Sequence, residues 1–230
     1  MHEHTGSDMT TVAVIGASRG IGLELVRQYA ADGCRVHATT RTPGAPGELG
    51  AVGGDVRLHR LDVVDDEQID ALAGALSGEP IDILIHNAGI NAGRGAGDAE
   101  TTARSMRINA EAPIATVAAL LDSVAASDEK KVAVMSSVQG SGQSRAGSPD
   151  LYGDSKRELN KRFRAIEPDW RARGVTAVAL HPGYVRTDMT GAHASLSPDE
   201  SVRGIRNVLA GLIVKDSGRF LDYRGKNVAW

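Results

Sequence analysis

The stretch VAVIGASRGIG, residues 12–22, decides how this chain folds. A short apolar run ends in a loop with glycines at positions 16, 20 and 22, and a helical pattern of apolar residues follows. Glycines in a strand-to-helix turn let the backbone approach a pyrophosphate, whose charge then faces the helix N-terminus. Because the loop directly follows the first strand, it predicts a dinucleotide site rather than a plain turn.

Short apolar runs alternate with helical patterns along the rest of the chain. Such alternation is typical of a parallel sheet that helices cover on both faces. We therefore predict one α/β domain over residues 11–230, a Rossmann-type doubly wound parallel sheet of about seven strands. The predicted strands are Val12–Ile15, Arg35–Thr40, Val56–Leu61, Ile81–Ile85, Val132–Met135, Val175–Leu180 and a short one near Phe220.

The amino-acid composition indicates which kinds of partner the protein is not expected to bind. The 230 residues carry a net charge of −3 and 3% aromatic side chains, which argues against nucleic acid. No apolar run is long enough to span a bilayer and the histidines lack metal-ligand spacing, so we expect neither a membrane nor a metal partner. The single cysteine, Cys34, fits a reducing compartment, and we expect a cytoplasmic protein. Residues 1–10 are polar and predict a disordered lead-in.

The end of the second strand indicates which dinucleotide binds. In this fold an acidic residue there favours NAD, whereas a basic one accommodates the 2′-phosphate of NADP. The strand ends in HATTRTP, which holds Arg41 and no acid, and Arg19 of the glycine loop lies within reach. Two guanidinium groups around one phosphate favour NADP(H) over NAD(H). The alternative is that Arg41 merely faces solvent.

The stretch LYGDSK, residues 151–156, places Tyr152 and Lys156 four residues apart. On a helix these two side chains share one face. A neighbouring ammonium favours the phenolate and lowers the pKa of a tyrosine. Such a phenol can give a proton to an alkoxide as a carbonyl is reduced, or take it back in the reverse direction.

The stretch MRINAEAP contains Asn109, four residues before Pro113. Because proline has no N–H, a helix here leaves the main-chain carbonyl of Asn109 without its usual donor. That carbonyl is then free to hold a water molecule. The alternative is an ordinary polar residue beside a proline kink.

The glycine spacing G-x-x-x-G-x-G resembles that of the short-chain dehydrogenase/reductase family, and the resemblance covers nearly the whole chain in five ordered motifs. It implies a hydride-transferring oxidoreductase. Its S-x-x-G motif implies that Ser137 binds the substrate carbonyl, with Ser136 as the alternative. Asn109 would anchor a water that links Lys156 to solvent. The implied catalytic set is Asn109, Ser137, Tyr152 and Lys156.

The resemblance also implies how the cofactor is held. Asp62 would accept from the adenine amino group, although Asp62 or Asp65 can instead cap the next helix. The main chain of Val185 would hold the carboxamide of the nicotinamide. The implied cofactor-binding residues are Gly16, Ser18, Arg19, Gly20, Ile21, Gly22, Arg41, Leu61, Asp62, Val63, Asn87, Ala88, Gly89, Tyr152, Lys156, Pro182, Gly183, Val185 and Thr187.

A polar insert at residues 141–150 and the ending of the chain resemble the subgroup of C-factor-like and sniffer-like carbonyl reductases. We therefore expect an NADP(H)-dependent carbonyl reductase that acts on a small carbonyl or alcohol. The resemblance also allows a homodimer. One alternative is a non-enzymatic NADP-binding regulatory or signalling protein on the same fold. A sugar epimerase or dehydratase is the other, but it would carry the spacing G-x-x-G-x-x-G.

Overall fold

The computed structural model describes residues 9–92, 97–142 and 150–230. The predicted disordered lead-in at residues 1–10 lies outside the described residues except for Met9 and Thr10. Residues 143–149, which make up most of the polar insert, also lie outside them.

A seven-stranded parallel sheet forms the centre of the fold, with the strand order β3-β2-β1-β4-β5-β6-β7. The predicted doubly wound sheet is therefore confirmed. The strands are β1 (Thr11–Ile15), β2 (Arg35–Thr40), β3 (Val56–Arg60), β4 (Ile83–His86), β5 (Lys131–Met135), β6 (Thr176–His181) and β7 (Phe220–Asp222).

Helices cover the sheet on both faces. Helices α2, α4 and α5 pack over one apolar cluster, whereas α1 and α6 pack over a second cluster on the opposite face. The α-helices are α1 (Gly20–Ala31), α2 (Asp66–Ala75), α3 (Ala99–Met106), α4 (Ala112–Ala125), α5 (Leu151–Ala172) and α6 (Pro198–Ala210). A π-helix (Arg107–Glu111) joins α3 to α4, and short 3₁₀ helices span Gly47–Ala51, Val138–Gly140 and Val214–Asp216.

The start of α2 decides between the two candidate capping aspartates. The Asp65 carboxylate accepts a hydrogen bond from the amide of Gln68 at 3.1 Å and so caps this helix. Asp62 does not cap the helix; its carboxylate accepts from the amide of Val64 at 3.3 Å, and the residue lines a cleft at the end of β3.

The helical run Ala99–Ala125 is long and apolar enough, by length and composition alone, to cross a membrane. We expected no such run from the sequence, and that expectation was wrong by this measure. Because 61% of its most apolar window is buried, and Val117 and Leu120 belong to the core, the run is accounted for by packing against the sheet.

The chain winds in opposite directions from the middle of the sheet, where β1 lies between β2 and β4. The loops that follow β1 and β4 therefore leave the sheet on opposite sides. A crevice opens between them at the carboxyl ends of the strands, which is where ligands bind in open α/β sheets.

Candidate active site

The main chain of the glycine turn after β1 packs so closely against neighbouring main-chain atoms that side chains at Gly16 and Gly22 would not fit. A Cβ atom on Gly16, whose φ is +85°, would lie 2.7 Å from the Cα atom of Ala88, and one on Gly22 would lie 2.0 Å from the carbonyl oxygen of Gly16. Helix α1 begins at Gly20 with no acidic residue in its first turn. Its N-terminus is therefore available to the phosphates of a dinucleotide, and these residues fit such a cofactor.

Two neighbouring strands hold this turn from either side. The amide of Gly16 donates to the Thr39 hydroxyl at 2.9 Å, and the side-chain amide of Asn87 donates to the carbonyl of Gly16 at 2.9 Å. These two hydrogen bonds hold the turn in this conformation. The sequence analysis assigned no such role to Thr39, although a hydroxyl at the end of the neighbouring strand was a usable signal.

A cleft of about 260 Å³ runs along the carboxyl edge of the sheet from this turn. Most of the predicted cofactor-binding residues line it, namely Gly16, Ser18, Arg19, Gly20, Ile21, Arg41, Leu61, Asp62, Val63, Asn87, Ala88, Gly89 and Thr187.

The remaining predicted cofactor residues do not line this cleft. Gly22 lies beneath the glycine turn, and the others belong to α5 and to the loop after β6. They are Gly22, Tyr152, Lys156, Pro182, Gly183 and Val185.

Several further residues line the cleft without having been predicted from the sequence. They come mainly from the strand ends, from α3 and the π-helix, and from the loop after β6, whose paths no short motif reveals. These residues are Thr39, Thr40, Val64, Ile90, Arg104, Ile108, Asp188 and Met189.

The two arginines predicted at the adenosine end differ in their surroundings. Arg41 is exposed at the end of β2 and forms no ion pair within the described part of the chain. Arg19 pairs with Asp188 at 3.2 Å, and both side chains are about three-quarters exposed. An exposed pair of this kind contributes little stability, so Arg19 remains free to turn towards an anion.

Asn109 is fully buried in the π-helix, and its side chain links two other segments of the chain by hydrogen bonds. Its side-chain oxygen accepts from the amide of Ile90 at 2.9 Å, and its side-chain nitrogen donates to the carbonyl of Ile90 at 2.8 Å and to Ser155 at 2.9 Å. This network fixes the loop after β4 against α5. The sequence suggested only the role of the main-chain carbonyl.

The π-helix lies directly before Pro113, which is in the first turn of α4. We expected a helix here in which the carbonyl of Asn109 lacks its usual donor, because proline has no N–H. The chain instead widens by one residue over Arg107–Glu111, where the amide of Ala112 donates to the carbonyl of Arg107. Such widened turns are found frequently at functional sites.

The two candidate serines after β5 have different partners. Ser136 is buried, and its hydroxyl donates to Asn160 at 2.6 Å. The Ser137 hydroxyl accepts from the amide of Gln139 at 3.2 Å and lies near enough to the Tyr152 phenol to lower its pKa. The geometry therefore brings Ser137 to the tyrosine, whereas Ser136 fixes α5 to the sheet.

Lys156 lies at the end of the seam between β4 and β5. β4 ends at His86, which pairs with Val134 of β5. Met135, the next residue of β5, therefore has no partner in β4. Its carbonyl accepts a hydrogen bond from the Lys156 ammonium at 2.8 Å. Burial, which leaves this side chain 3% exposed, lowers the pKa of Lys156 to about 8.

Tyr152 departs from the expectation that the lysine lowers its pKa. Burial raises the pKa of Tyr152, and the nearby Ser137 hydroxyl opposes this only in part. The Lys156 ammonium lies 5.9 Å from the centre of the phenol ring, while it is hydrogen-bonded to Met135. In the protein alone the phenol therefore stays protonated, which suits a proton donor.

The loop after β6 closes the other side of the site. The carbonyl of Val185, predicted to hold the carboxamide, accepts a hydrogen bond from the Thr190 hydroxyl. The methyl group of Thr187 would lie 3.2 Å from a Cβ atom at Gly20, so this loop reaches over the glycine turn. The loop and the turn thus form opposite walls of one cleft.

This arrangement of a dinucleotide cradle beside serine, tyrosine and lysine at one sheet edge agrees with the family comparison. Residues 10–196 match the family described as short chain dehydrogenase. The chain belongs to this family.

Individual relatives narrow the subgroup. The chain is 39% identical to the C-signal of Myxococcus xanthus over 155 residues, which cover 66% of this chain and 93% of that protein. The carbonyl reductase Sniffer of D. melanogaster superposes with a TM-score of 0.87 at 26% identity, covering 96% of this chain and 100% of that one. An NADPH-bound carbonyl reductase from chicken fatty liver superposes with a TM-score of 0.85 at 32% identity, covering 96% and 99%.

Taken with the site, these similarities support an oxidoreductase that uses NAD(P) and a small-molecule substrate, in a carbonyl reductase-like subgroup. The expected resemblance is confirmed.

Proposed function

We propose that this protein is an NADP(H)-dependent carbonyl reductase in which Tyr152 is the general acid and base. The observation that carries the proposal is that Tyr152 lies beside Ser137 and one helical turn from the buried Lys156, whose ammonium is 5.9 Å from the centre of the phenol ring. The hydroxyl groups of Ser137 and Tyr152 can then both donate to the carbonyl oxygen of a substrate at the edge of the sheet, where the cofactor cleft ends.

The preference for NADP(H) rests on charge at the end of β2. Thr39, Thr40 and Arg41 line the cleft there, and none of them is acidic. Arg41 has no competing carboxylate among the described residues, and Arg19 is held only by an exposed ion pair. A 2′-phosphate would therefore gain charge-assisted hydrogen bonds that a 2′-hydroxyl cannot make.

When bound, the nicotinamide cofactor supplies or accepts the hydride. The residues of the chain manage the oxygen and the proton. Ser137 and Tyr152 hold the carbonyl oxygen of the substrate, and Tyr152 donates its proton to that oxygen as the carbonyl carbon receives the hydride. The resulting phenolate is stabilised by the positive charge of Lys156, and Asn109 keeps the surrounding loop in place.

A non-enzymatic NADP-binding regulatory protein is the second candidate, since the same fold can serve binding alone. The similarity to a protein named C-signal keeps this candidate open. The buried polar set favours the enzyme, because a binder has no use for a phenol placed beside Ser137 and Lys156.

The same proposal places the enzyme in the cytoplasm, because its single cysteine needs no oxidising compartment. It also includes a homodimer, formed through the charged outer face of α5 around Arg157 and Lys161. Sedimentation velocity at two salt concentrations tests that dimer, since a polar interface of this kind weakens as salt rises.

A panel of carbonyl compounds tests the function. Quinones, aldehydes and β-keto compounds are each incubated with the protein and NADPH, and the oxidation of the cofactor is followed by absorbance, with NADH in parallel. We expect turnover of at least one class with NADPH in preference to NADH. Tight NADPH binding without turnover across the panel would instead support the regulatory candidate.

A further inference from the structure

His86 is a buried titratable group that the proposed mechanism does not use. It is the last residue of β4 and is 1% exposed. Leu84, two residues earlier, belongs to the core under α2, α4 and α5, and side chains two apart on a strand share one face. The imidazole therefore points to the face of the sheet that carries α5 and its Lys156.

The imidazole lacks partners that a buried polar group normally has. Apart from a contact with its own main chain, neither Nδ1 nor Nε2 is hydrogen-bonded to any described residue. Most buried polar side chains are satisfied by protein or by ordered water, so each exception requires an explanation. A histidine that served only packing would be costly at this position.

The Lys156 ammonium is the nearby group whose hydrogen bonds are incomplete. It has three donors, and the carbonyl of Met135 takes one of them at 2.8 Å. His86 pairs with Val134, the residue before Met135, so imidazole and ammonium lie at the same end of the β4–β5 seam. Burial and the nearby Lys156 charge lower the pKa of His86 to about 3, which leaves the imidazole neutral with a lone pair to offer.

We propose that His86 is a positioning residue for Lys156, accepting a hydrogen bond from its ammonium through one bridging water molecule. This contact keeps the lysine charged and aimed at the cofactor cleft. The inference rests on the proposed function, since it concerns the same proton-handling site. A single water with polar partners on two sides is a common way to satisfy buried groups of this kind.

Few other ionisable groups face this site. On α5, Tyr152 faces the lysine, and Asp150 before the helix acts on Tyr152. Within the described part of the chain, β5 contributes the Met135 carbonyl and the π-helix contributes the Asn109 side chain near this point, and neither titrates. No described carboxylate forms an ion pair with Lys156, so a neutral acceptor is the kind of group left to favour its charged form.

The sign of the effect follows from this arrangement. A hydrogen bond to the charged form of a group favours that form, so the His86 contact raises the pKa of Lys156 against the effect of burial. Its removal should lower the pKa of Lys156 below about 8. Cofactor affinity that depends on the ammonium should then be lost at a lower pH.

The test measures the dissociation constant of NADPH by nicotinamide fluorescence at a series of pH values, so it needs no turnover. His86→Leu removes the acceptor, and His86→Asn keeps an acceptor at the same place. We expect the alkaline midpoint of NADPH binding to fall by about one pH unit in His86→Leu. The midpoint in His86→Asn should remain close to that of the wild type.

Thermal unfolding of both variants provides the control for folding, and replacement of a poorly satisfied buried group by leucine should be nearly neutral. An unchanged midpoint in a folded His86→Leu protein would overturn the inference and leave the proposed function intact. If the wild type binds no NADPH at any pH, the proposed function fails and the inference fails with it.

Discussion

The ammonium nitrogen of Lys156 lies 2.8 Å from the main-chain carbonyl oxygen of Met135. This contact joins the middle of α5 to the end of β5, and it exists because β4 stops one residue short of pairing with Met135. The helix that carries Tyr152 is thereby fixed to the same sheet edge as Ser137. The groups that we propose handle the proton are held in place by the fold itself, which is what an efficient site requires.

Replacement of Gly22 by alanine should disrupt the dinucleotide cradle. A Cβ atom there would lie 2.0 Å from the carbonyl oxygen of Gly16, so the turn must move. We expect a loss of about 1–3 kcal/mol in the free energy of unfolding and a marked loss of NADPH affinity, measured by urea unfolding and fluorescence titration. Gly74→Ala is the matched control, because that exposed helical position has open space and should gain up to about 1 kcal/mol. Equal behaviour of the two variants would contradict this account of the turn.

Asn109→Ala should destabilise the protein as well as slow turnover. The substitution leaves the amide and carbonyl of Ile90 without their partners, and the site is fully buried. We expect a loss of about 2 kcal/mol, which corresponds to a fall of about 4–8 °C in Tm. Differential scanning calorimetry checks this, with the exposed Asn207→Ala on α6 as the control. If both variants melted at the wild-type temperature, the hydrogen bonds between Asn109 and Ile90 would contribute nothing measurable to stability.

Arg41→Ala should weaken NADPH binding selectively. A charge-assisted contact to the 2′-phosphate contributes enough that its loss should raise the Kd of NADPH by about 10–100-fold. The Kd of NADH should change little, because NADH lacks that phosphate. Arg60→Ala removes an exposed arginine at the end of the next strand, outside the cleft, and serves as the control. A parallel loss for both cofactors would refute the role of Arg41 in discrimination.

The depressed pKa of Lys156 should appear in the pH dependence of stability. Because burial lowers this pKa to about 8 from about 10.4 in the unfolded chain, the unfolded chain binds more protons between these two values. The contribution of this site to the free energy of unfolding therefore rises with pH in that window. Relative to Lys156→Met, the wild type should gain about 2 kcal/mol between about pH 7 and about pH 10, measured by urea unfolding. A constant difference between the two proteins across this range would show that the lysine titrates normally.

Local patterns in the sequence were sufficient to predict the sheet and its helical layers. Each strand is a short apolar run whose neighbours are set by right-handed crossovers, so all seven predicted strands are present with ends that differ by at most two residues. The glycine turn was equally predictable, since close backbone approach at Gly16 and Gly22 requires a residue without a side chain.

Contacts between distant segments could not be derived from such patterns. One example is the pair of hydrogen bonds between the Asn109 side chain and the main chain of Ile90. Another is the ion pair between Arg19 and Asp188. The pKa of Tyr152 was expected to fall because Lys156 is near in sequence, but burial raises it. Burial depends on the whole fold, so the direction of the Tyr152 pKa shift could not be predicted from the spacing of Tyr152 and Lys156 in the sequence.

The most direct test of the central claim is the turnover of Tyr152→Phe with NADPH and a reactive carbonyl substrate. The substitution removes one hydroxyl from a position that packing otherwise preserves, so NADPH affinity should stay within about threefold while turnover falls by at least about a hundredfold. Tyr29→Phe, which removes a remote buried hydroxyl between α1 and α6, should keep full activity. Turnover by Tyr152→Phe at the wild-type rate would contradict the assignment of this phenol as the proton donor.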